Sequence, residues 1–356
     1  MPKENRLKKV APILKHYALE PHFVEELGRI RKIYTNKGIF ALKKIDPKHG
    51  GDFIRHVQAL FQKGYNRIVP IFPTVDGRYA VLYENDLYYL MPWLANVEKE
   101  NRFERHQQLF RELARLHTLS VKEVSISSEE RKEHYENTLL EWEKEREFLE
   151  GFIEVCEKKE YLSPFELLFA LYYHEINQAL QFSEKRLKTW YEKTSEDEKA
   201  RIVTIHGKVS TEHFLFDEKG HGYFTNFEKS RQGSPLHDLL PFLSRSLKTY
   251  PKQSDESVDW IYTYLKYFPF KEEELLLFQS YFAHPGGVIH SAEKYFRGES
   301  KGGERKSVKN FQRQFWLLKN TEYVLMKIEE IEAKKAQEKA MAEAQAQAEA
   351  QEGAQN

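Results

Sequence analysis

The chain has 356 residues, 40% apolar and 14% aromatic, with 55 basic residues balanced by 55 acidic ones. That composition supports a sizeable core and excludes a disordered chain, and zero formal charge gives no global attraction to nucleic acid or an anionic membrane. A single cysteine, Cys156, excludes an intramolecular disulfide and a cysteine-based zinc site; it lies in a helical pattern and reads as a small core residue.

In chain order, residues 4–19 carry apolar side chains at helical spacing and predict a short helix. Residues 28–45 alternate, break at Asn36-Lys37-Gly38 and resume, which predicts a hairpin. Gly51 to Lys63 predicts a helix with Phe53, Val57, Leu60 and Phe61 on its buried face and Gly64 at its end. Residues 68–93 read as short strands divided at Asp76-Gly77 and Asn85-Asp86. A small antiparallel sheet backed by a helix is the packing solution for this order. An amphipathic helix follows, with Phe110, Leu113, Leu116 and His117 near one stripe, and then two long Glu/Lys-rich helical patterns at 129–160 and 163–193. Residues 205–230 interrupt the helices with a loop and a hairpin around 217–221; helices resume near Leu236 and run to about 333. The Ala/Gln/Glu-rich remainder predicts a frayed helix passing into disorder.

No apolar run approaches the ~20 residues of a membrane span, and no apolar segment follows the basic N-terminus, so cytoplasmic synthesis is expected, with no membrane or nucleic-acid partner. Fourteen histidines form no HExxH, and no GxSxG occurs. Gly286-Gly287 and Gly302-Gly303 form no phosphate loop and read as connections between helices. Lys306 to Lys319 mixes basic residues with Phe311, Phe315 and Trp316; helical spacing makes this an apolar and a solvated face of one helix rather than a nucleic-acid surface.

The stretch with chemical content is IHGKVSTEHFLFDEKGHGYFTNFEKS, Ile205 to Ser230. Phosphoryl transfer from a nucleotide needs a strand lysine for phosphates, a loop aspartate for the attacking hydroxyl, and hard oxygen ligands for magnesium. Together with GIFALKK, YYLMPW, RELARLHTLS and SPLHDLLPFLSR, this order resembles the aminoglycoside phosphotransferase and choline-kinase branch of the protein-kinase-like superfamily. Within that branch it is similar to the CotS-type spore coat-associated proteins and their YsxE subgroup. The resemblance covers about residues 5–330.

It implies an α+β, two-lobed protein-kinase-like fold: a small N-terminal sheet lobe over 1–95, a large mainly helical C-terminal lobe over 96–333 holding the loop 205–230, and a low-complexity tail over 334–356. It places Lys43 on the phosphate-contacting lysine, with an exposed strand lysine as the plainer reading. Leu90 to Trp93 falls on the linker between lobes, where Met91 and Trp93 are candidate nucleotide contacts and simple core filling is the alternative for Trp93. His206 and Gly207 open the catalytic loop. Asp238 is expected to brace it, or else to cap a helix.

The family's catalytic and metal positions are altered. Lys208 stands for the loop aspartate, His213 for the asparagine, and Asn226 for the metal-binding aspartate before Phe227 and Glu228. A protonated lysine is a poor general base, and asparagine and histidine are weak partners for magnesium. Glu228 is a possible rescue carboxylate, expected two residues along a strand from Asn226. The helix at 51–63 offers no glutamate for Lys43; His56 and Gln58 are nearest.

The resemblance therefore implies a catalytically impaired pseudokinase that acts through protein interactions in a spore coat after synthesis in the mother cell. No cofactor and no metal site are expected. An active phosphotransferase built on Lys43 and Glu228, using ATP and magnesium, is one alternative. A metal-free module in which Lys208 and Lys43 hold an anionic small molecule is the other. The helical insert at 129–193 would shape an acceptor pocket or present a docking face.

Overall fold

The structure is a computed structural model that describes residues 3–49, 51–96, 102–248, 251, 253, 255–299 and 302–354. In chain order, α1 (Lys3–Lys15) precedes β1 (Pro21–Leu27), β2 (Ile30–Thr35), β3 (Gly38–Ile45) and α2 (Asp52–Gln62). Then come β4 (Val81–Tyr83), β5 (Asp86–Pro92), α3 (Arg102–Ser120), β6 (Lys122–Ser125), α4 (Ser128–Glu157) and α5 (Pro164–Thr194). Strands β7 (Lys199–Ile205), β8 (Phe214–Phe216), β9 (Gly222–Phe224) and β10 (Arg231–Gly233) follow. The chain ends with α6 (Leu236–Leu247), α7 (Asp255–Tyr267), α8 (Glu272–Ala283), α9 (Gly286–Phe296) and α10 (Glu304–Ala354). The small N-terminal antiparallel sheet and the helical remainder are those the sequence predicts.

Contacts divide the chain into two compact units, one of Met1–Val124, Arg201–Leu239 and Thr263–Phe268, the other of Ser125–Ala200, Leu240–Tyr262 and Pro269–Asn356. In the first, the sheet order is β1-β2-β3-β5-β4. Alternation gives its two faces different tasks. Ile33, Leu42, Tyr88 and Leu90 bury against Val10, Ile13 and Leu14 of α1. Ala41, Lys43, Tyr89 and Met91 alternate with them, and Tyr89 meets Phe53 of α2 at a ring separation of 5.5 Å. Asn36-Lys37 forms the two-residue turn between paired Thr35 and Gly38. Glu84 and Asn85, at φ 48° and 63°, make the corresponding turn between β4 and β5, the left-handed pair that such a hairpin demands. One expectation for α2 fails. Phe61 is 37% exposed, because it stands in the last turn, where the chain leaves the helix at Lys63 and Gly64.

In the second unit, α4 and α5 begin alike. Ser127 and Glu130, and again Ser163 and Glu166, form reciprocal capping boxes, with Pro164 in the first turn of α5. The core between these helices and α8 to α10 holds Trp142, Phe152, Phe169, Ile289 and Phe311, with Cys156 buried among them. Phe311 and Phe315 face that core and Tyr172 stacks on Phe315 at 3.6 Å, so the aromatics of the basic segment 306–319 are packing groups. Two expectations are corrected here. Gly286-Gly287 opens α9 instead of lying in a loop, and a Cβ on Gly286 would sit 2.9 Å from the His284 ring. The remainder after 333, expected as a frayed helix passing into disorder, is helical through Ala354, since Ala, Glu, Gln and Lys all favour helix and no proline interrupts them. Among the described residues, no helix is long and apolar enough to cross a membrane.

Candidate functional site

The site lies wholly within the first unit. Its loop begins where β7 ends. His206 is fully buried, and its backbone N–H donates to Asp238 Oδ2 at 2.6 Å while that of Gly207 donates to Oδ1 at 2.8 Å. His117 of α3 adds a third bond, Nε2 to Oδ2 at 3.2 Å, and its Nδ1 meets the Tyr264 hydroxyl at 2.7 Å. Burial alone would raise the Asp238 carboxyl, but His117, His206 and the backbone donors outweigh it and hold the group below the usual carboxylate range. Asp238, in the first turn of α6, thus fixes the loop's opening residues by their backbone.

The His206 ring has one consistent protonation. Lys208 N–H donates to Nδ1 at 3.2 Å, so Nε2 carries the proton and donates to the Thr225 carbonyl at 2.7 Å. Burial pushes its pKa down and favours this neutral form. Gly207 has φ +79°, and a Cβ there would lie 2.2 Å from the Lys229 carbonyl oxygen. Gly207→Ala is therefore expected to cost about 1–3 kcal/mol of stability from backbone strain alone. A chemical denaturation midpoint equal to that of the parent would show that the loop tolerates the side chain.

His213 does not offer its Nδ1 to the site. That nitrogen donates to the Lys208 carbonyl at 2.8 Å, tying these two loop positions together. The residue is 8% exposed, and burial lowers its pKa.

The segment at Asn226 departs from the expected strand. Asn226 is left-handed, at φ 69° and ψ 48°, and a 3-10 turn spans Phe227–Lys229. Asparagine tolerates this conformation better than most residues. The turn brings Glu228 back onto Lys43. The Lys43 ammonium pairs with the Glu228 carboxylate and donates to Asn226 Oδ1, while the Tyr89 hydroxyl donates to Glu228 at 2.6 Å. Lys43 is 8% exposed, so it is not the plain surface lysine of the alternative reading; neighbouring Lys44 points out and pairs with Asp86.

Burial lowers the Lys43 pKa, opposed by Glu228 and reinforced by the nearby cations Lys208 and Arg29. Burial raises Glu228, but Lys43 and the Tyr89 hydroxyl together bring it below its ordinary value. His56, a nearest candidate on α2, bonds Ser230 at 3.0 Å, and Glu228 supplies the carboxylate that α2 lacks.

Met91 is buried on β5, where its sulfur accepts from the Thr225 hydroxyl at 3.6 Å. The Trp93 backbone N–H bonds the Ile39 carbonyl at 3.1 Å, and the Lys32 ammonium lies 4.8 Å from its ring centre. Sequence reasoning missed three participants. Tyr89 was only a strand aromatic, and His117 a member of an apolar stripe. Arg29 occupies the two-residue turn between β1 and β2 beside Gly28, with its carbonyl accepting from Lys44 N–H at 3.0 Å.

Chemically the site is closed upon itself. The Glu228 carboxylate is engaged by a lysine and a tyrosine, and the amide oxygen of Asn226 by the same lysine. Among the described residues, no group of three or more His, Cys, Asp and Glu side chains is placed to hold a metal ion.

No protein-family model matches the chain, and no curated protein matches it in sequence. Solved structures do match in fold. An aminoglycoside phosphotransferase from Alicyclobacillus acidocaldarius superposes with a TM-score of 0.68 at 14% identity, over 90% of this chain and 95% of that one. A spectinomycin phosphotransferase, solved with ADP and spectinomycin, superposes with a TM-score of 0.52 at 12% identity, over 91% and 98%. The fold is that of the protein-kinase-like phosphotransferases.

Proposed function

We propose that this chain is a kinase-like protein that does not perform magnesium-dependent phosphoryl transfer and acts instead by binding and assembly. The observation that carries this reading is the closed set of Lys43, Glu228, Asn226 and Tyr89, with Lys208 in place of a catalytic carboxylate. Against a phosphotransferase of the resembled family, the site gains about three units of positive charge through Lys208 and Asn226. At an effective dielectric of about 20, unit charges about 4 Å apart interact by about 4 kcal/mol. A dication is disfavoured on that scale. The sequence resemblance supports assembly with coat proteins of a spore; a tagged chain in sporulating cells of its source should then fractionate with the coat, and a wholly soluble distribution would remove that part.

A second reading keeps the phosphotransferase activity that names the fold's solved relatives. Glu228 supports it, because a carboxylate remains beside Asn226 and would be freed if Lys43 turned to a phosphate. Turnover separates the two. The purified chain is expected to consume no ATP with magnesium above the buffer rate, and magnesium should add nothing to its melting temperature with ATP. The Lys208→Asp, Asn226→Asp double variant should gain a magnesium-dependent rise. Ordinary ATP turnover by the parent chain would establish the second reading.

A further inference from the structure

We propose that the groove between α5 and α10 docks a basic segment of a partner protein, taking an apolar side chain of that segment into a cavity and its Lys or Arg residues onto three glutamates at the rim. The inference rests on the binding-and-assembly part of the reading above and names the kind of partner. The groove lies wholly within the second unit.

The cavity has a local cause. Leu318, Glu322, Leu325 and Glu329 of α10 follow one another at three or four residues and share a face. Glu175, Ala179 and Phe182 of α5 do the same and line the same space. Two of the lining side chains are short, Ala179 and the buried Ala283 at the end of α8, and they leave about 280 Å³ unfilled. Leu318 and Leu325 are buried in the wall, so the lining is apolar at depth. Sites that enclose a whole small molecule hold about 300–1,000 Å³. This one lies just under that range and suits an inserted side chain.

Met326 stands beside it. It is 53% exposed and also lines a second hollow, of about 420 Å³, with Pro251, Tyr323 and Lys327. An exposed thioether thus borders two unfilled spaces on one stretch of α10. Its flexible chain can adapt to an irregular apolar partner.

Charge selects that partner. The first cavity is lined by Glu175, Glu322 and Glu329 and by no lysine or arginine. The cations that reach these carboxylates come from outside the lining. Lys319 is shared between Glu175, at 2.6 Å, and Glu322, while Arg186 pairs with Glu329. Three carboxylates therefore hold two cations. Their side chains are 40, 50 and 40% exposed, and pairs so open to water contribute little, so a partner's ammonium or guanidinium exchanges in readily. A second copy seated face to face would set these glutamates against their own counterparts, and like charges oppose association. An acidic or purely apolar segment would leave the carboxylates uncompensated. A basic segment carrying a Leu, Met or Phe satisfies rim and cavity together, the apolar-anchor and polar-rim arrangement of protein interfaces.

A peptide display library panned on the full chain supplies the probe without assuming its sequence. Enriched peptides are expected to carry several Lys or Arg beside a Leu, Met or Phe. In fluorescence anisotropy, the strongest of them should bind about tenfold more weakly to Ala179→Phe, which fills the cavity, and to Met326→Ser. Glu175→Gln and Glu329→Gln should each weaken it about two- to fivefold, a loss that shrinks as salt rises. Glu150→Gln, at an exposed position of α4 outside the lining, should leave it unchanged. If circular dichroism shows that Ala179→Phe does not fold, the three rim variants decide. No enrichment, enrichment of acidic or uncharged sequences, or affinity unmoved by the rim variants would overturn the inference. So would self-association of the parent chain that Met326→Ser abolishes. None of these results touches the proposed loss of transfer chemistry, which ATP turnover tests separately.

Discussion

Asp238→Ala is expected to lower the free energy of unfolding by about 3–5 kcal/mol. The carboxylate is 2% exposed and accepts from His206 N–H, Gly207 N–H and His117 Nε2. Alanine leaves these donors buried without acceptors, at about 1–3 kcal/mol each before the loop relaxes. Asp238→Asn should cost less, because its amide oxygen still accepts. The pH dependence has two windows. Burial holds the His206 pKa below its unfolded value near about 6.5. The unfolded chain therefore takes up a proton first, and stability falls as the pH drops below that value. His213 and His56, also lowered by burial, act in the same direction. Asp238 itself is depressed by its donors, so its contribution is complete above about pH 4 and is lost as the pH falls through its folded pKa. Urea midpoints at pH 7.5, 5.5, 4 and about 2.5 should show the parent chain declining through both windows and the Asp238→Ala chain lacking the one below pH 4. Equal midpoints at pH 7.5 would show that the brace carries no stability.

The elements legible in the sequence are those with local causes. Alternation located β2 and β3, the Asn85-Asp86 turn signal set β4 apart from β5, and apolar spacing located α2 and the buried face of α3 around His117. Capping boxes at Ser127 and Ser163 were equally local signals, available though unused. The loop at His206-Gly207 was legible because few backbones need that glycine, with the Lys229 carbonyl against it. The partner of Lys43 was not legible. Glu228 reads as a strand residue until Asn226 turns left-handed and the chain coils into a 3-10 turn. Asn226 and Lys43 are also separated by 183 positions, beyond any periodicity. Arg29 was hidden differently, since a charged residue in a tight turn looks like any solvated one until its effect on buried Lys43 is known.

Glu228 is where the architecture and the proposed loss of chemistry can be tested together. In Glu228→Ala, the Lys43 ammonium loses the carboxylate that pairs with it in a buried setting, where the two side chains are 10 and 11% exposed. The Tyr89 hydroxyl loses its acceptor as well. Breaking a buried pair from one side costs about 3–5 kcal/mol, whereas replacing both partners with neutral groups of similar volume is often neutral. Lys43→Met with Glu228→Gln is the matching change, because glutamine still accepts from Tyr89 and no charge is left behind. The double variant is therefore expected to recover most of the stability that Glu228→Ala loses. Lys43→Met alone should be destabilised too, since it strands a buried carboxylate. With Glu228→Gln as the second single change, urea denaturation at pH 7.5 closes a double-mutant cycle. A coupling energy of about 0.5–3 kcal/mol marks residues in one network, and the upper part of that range is expected here. It would mean that Lys43 is committed to a carboxylate in the resting chain. Additive single effects would mean that Lys43 is free to leave Glu228, and the active-phosphotransferase reading would then gain the ligand geometry it requires.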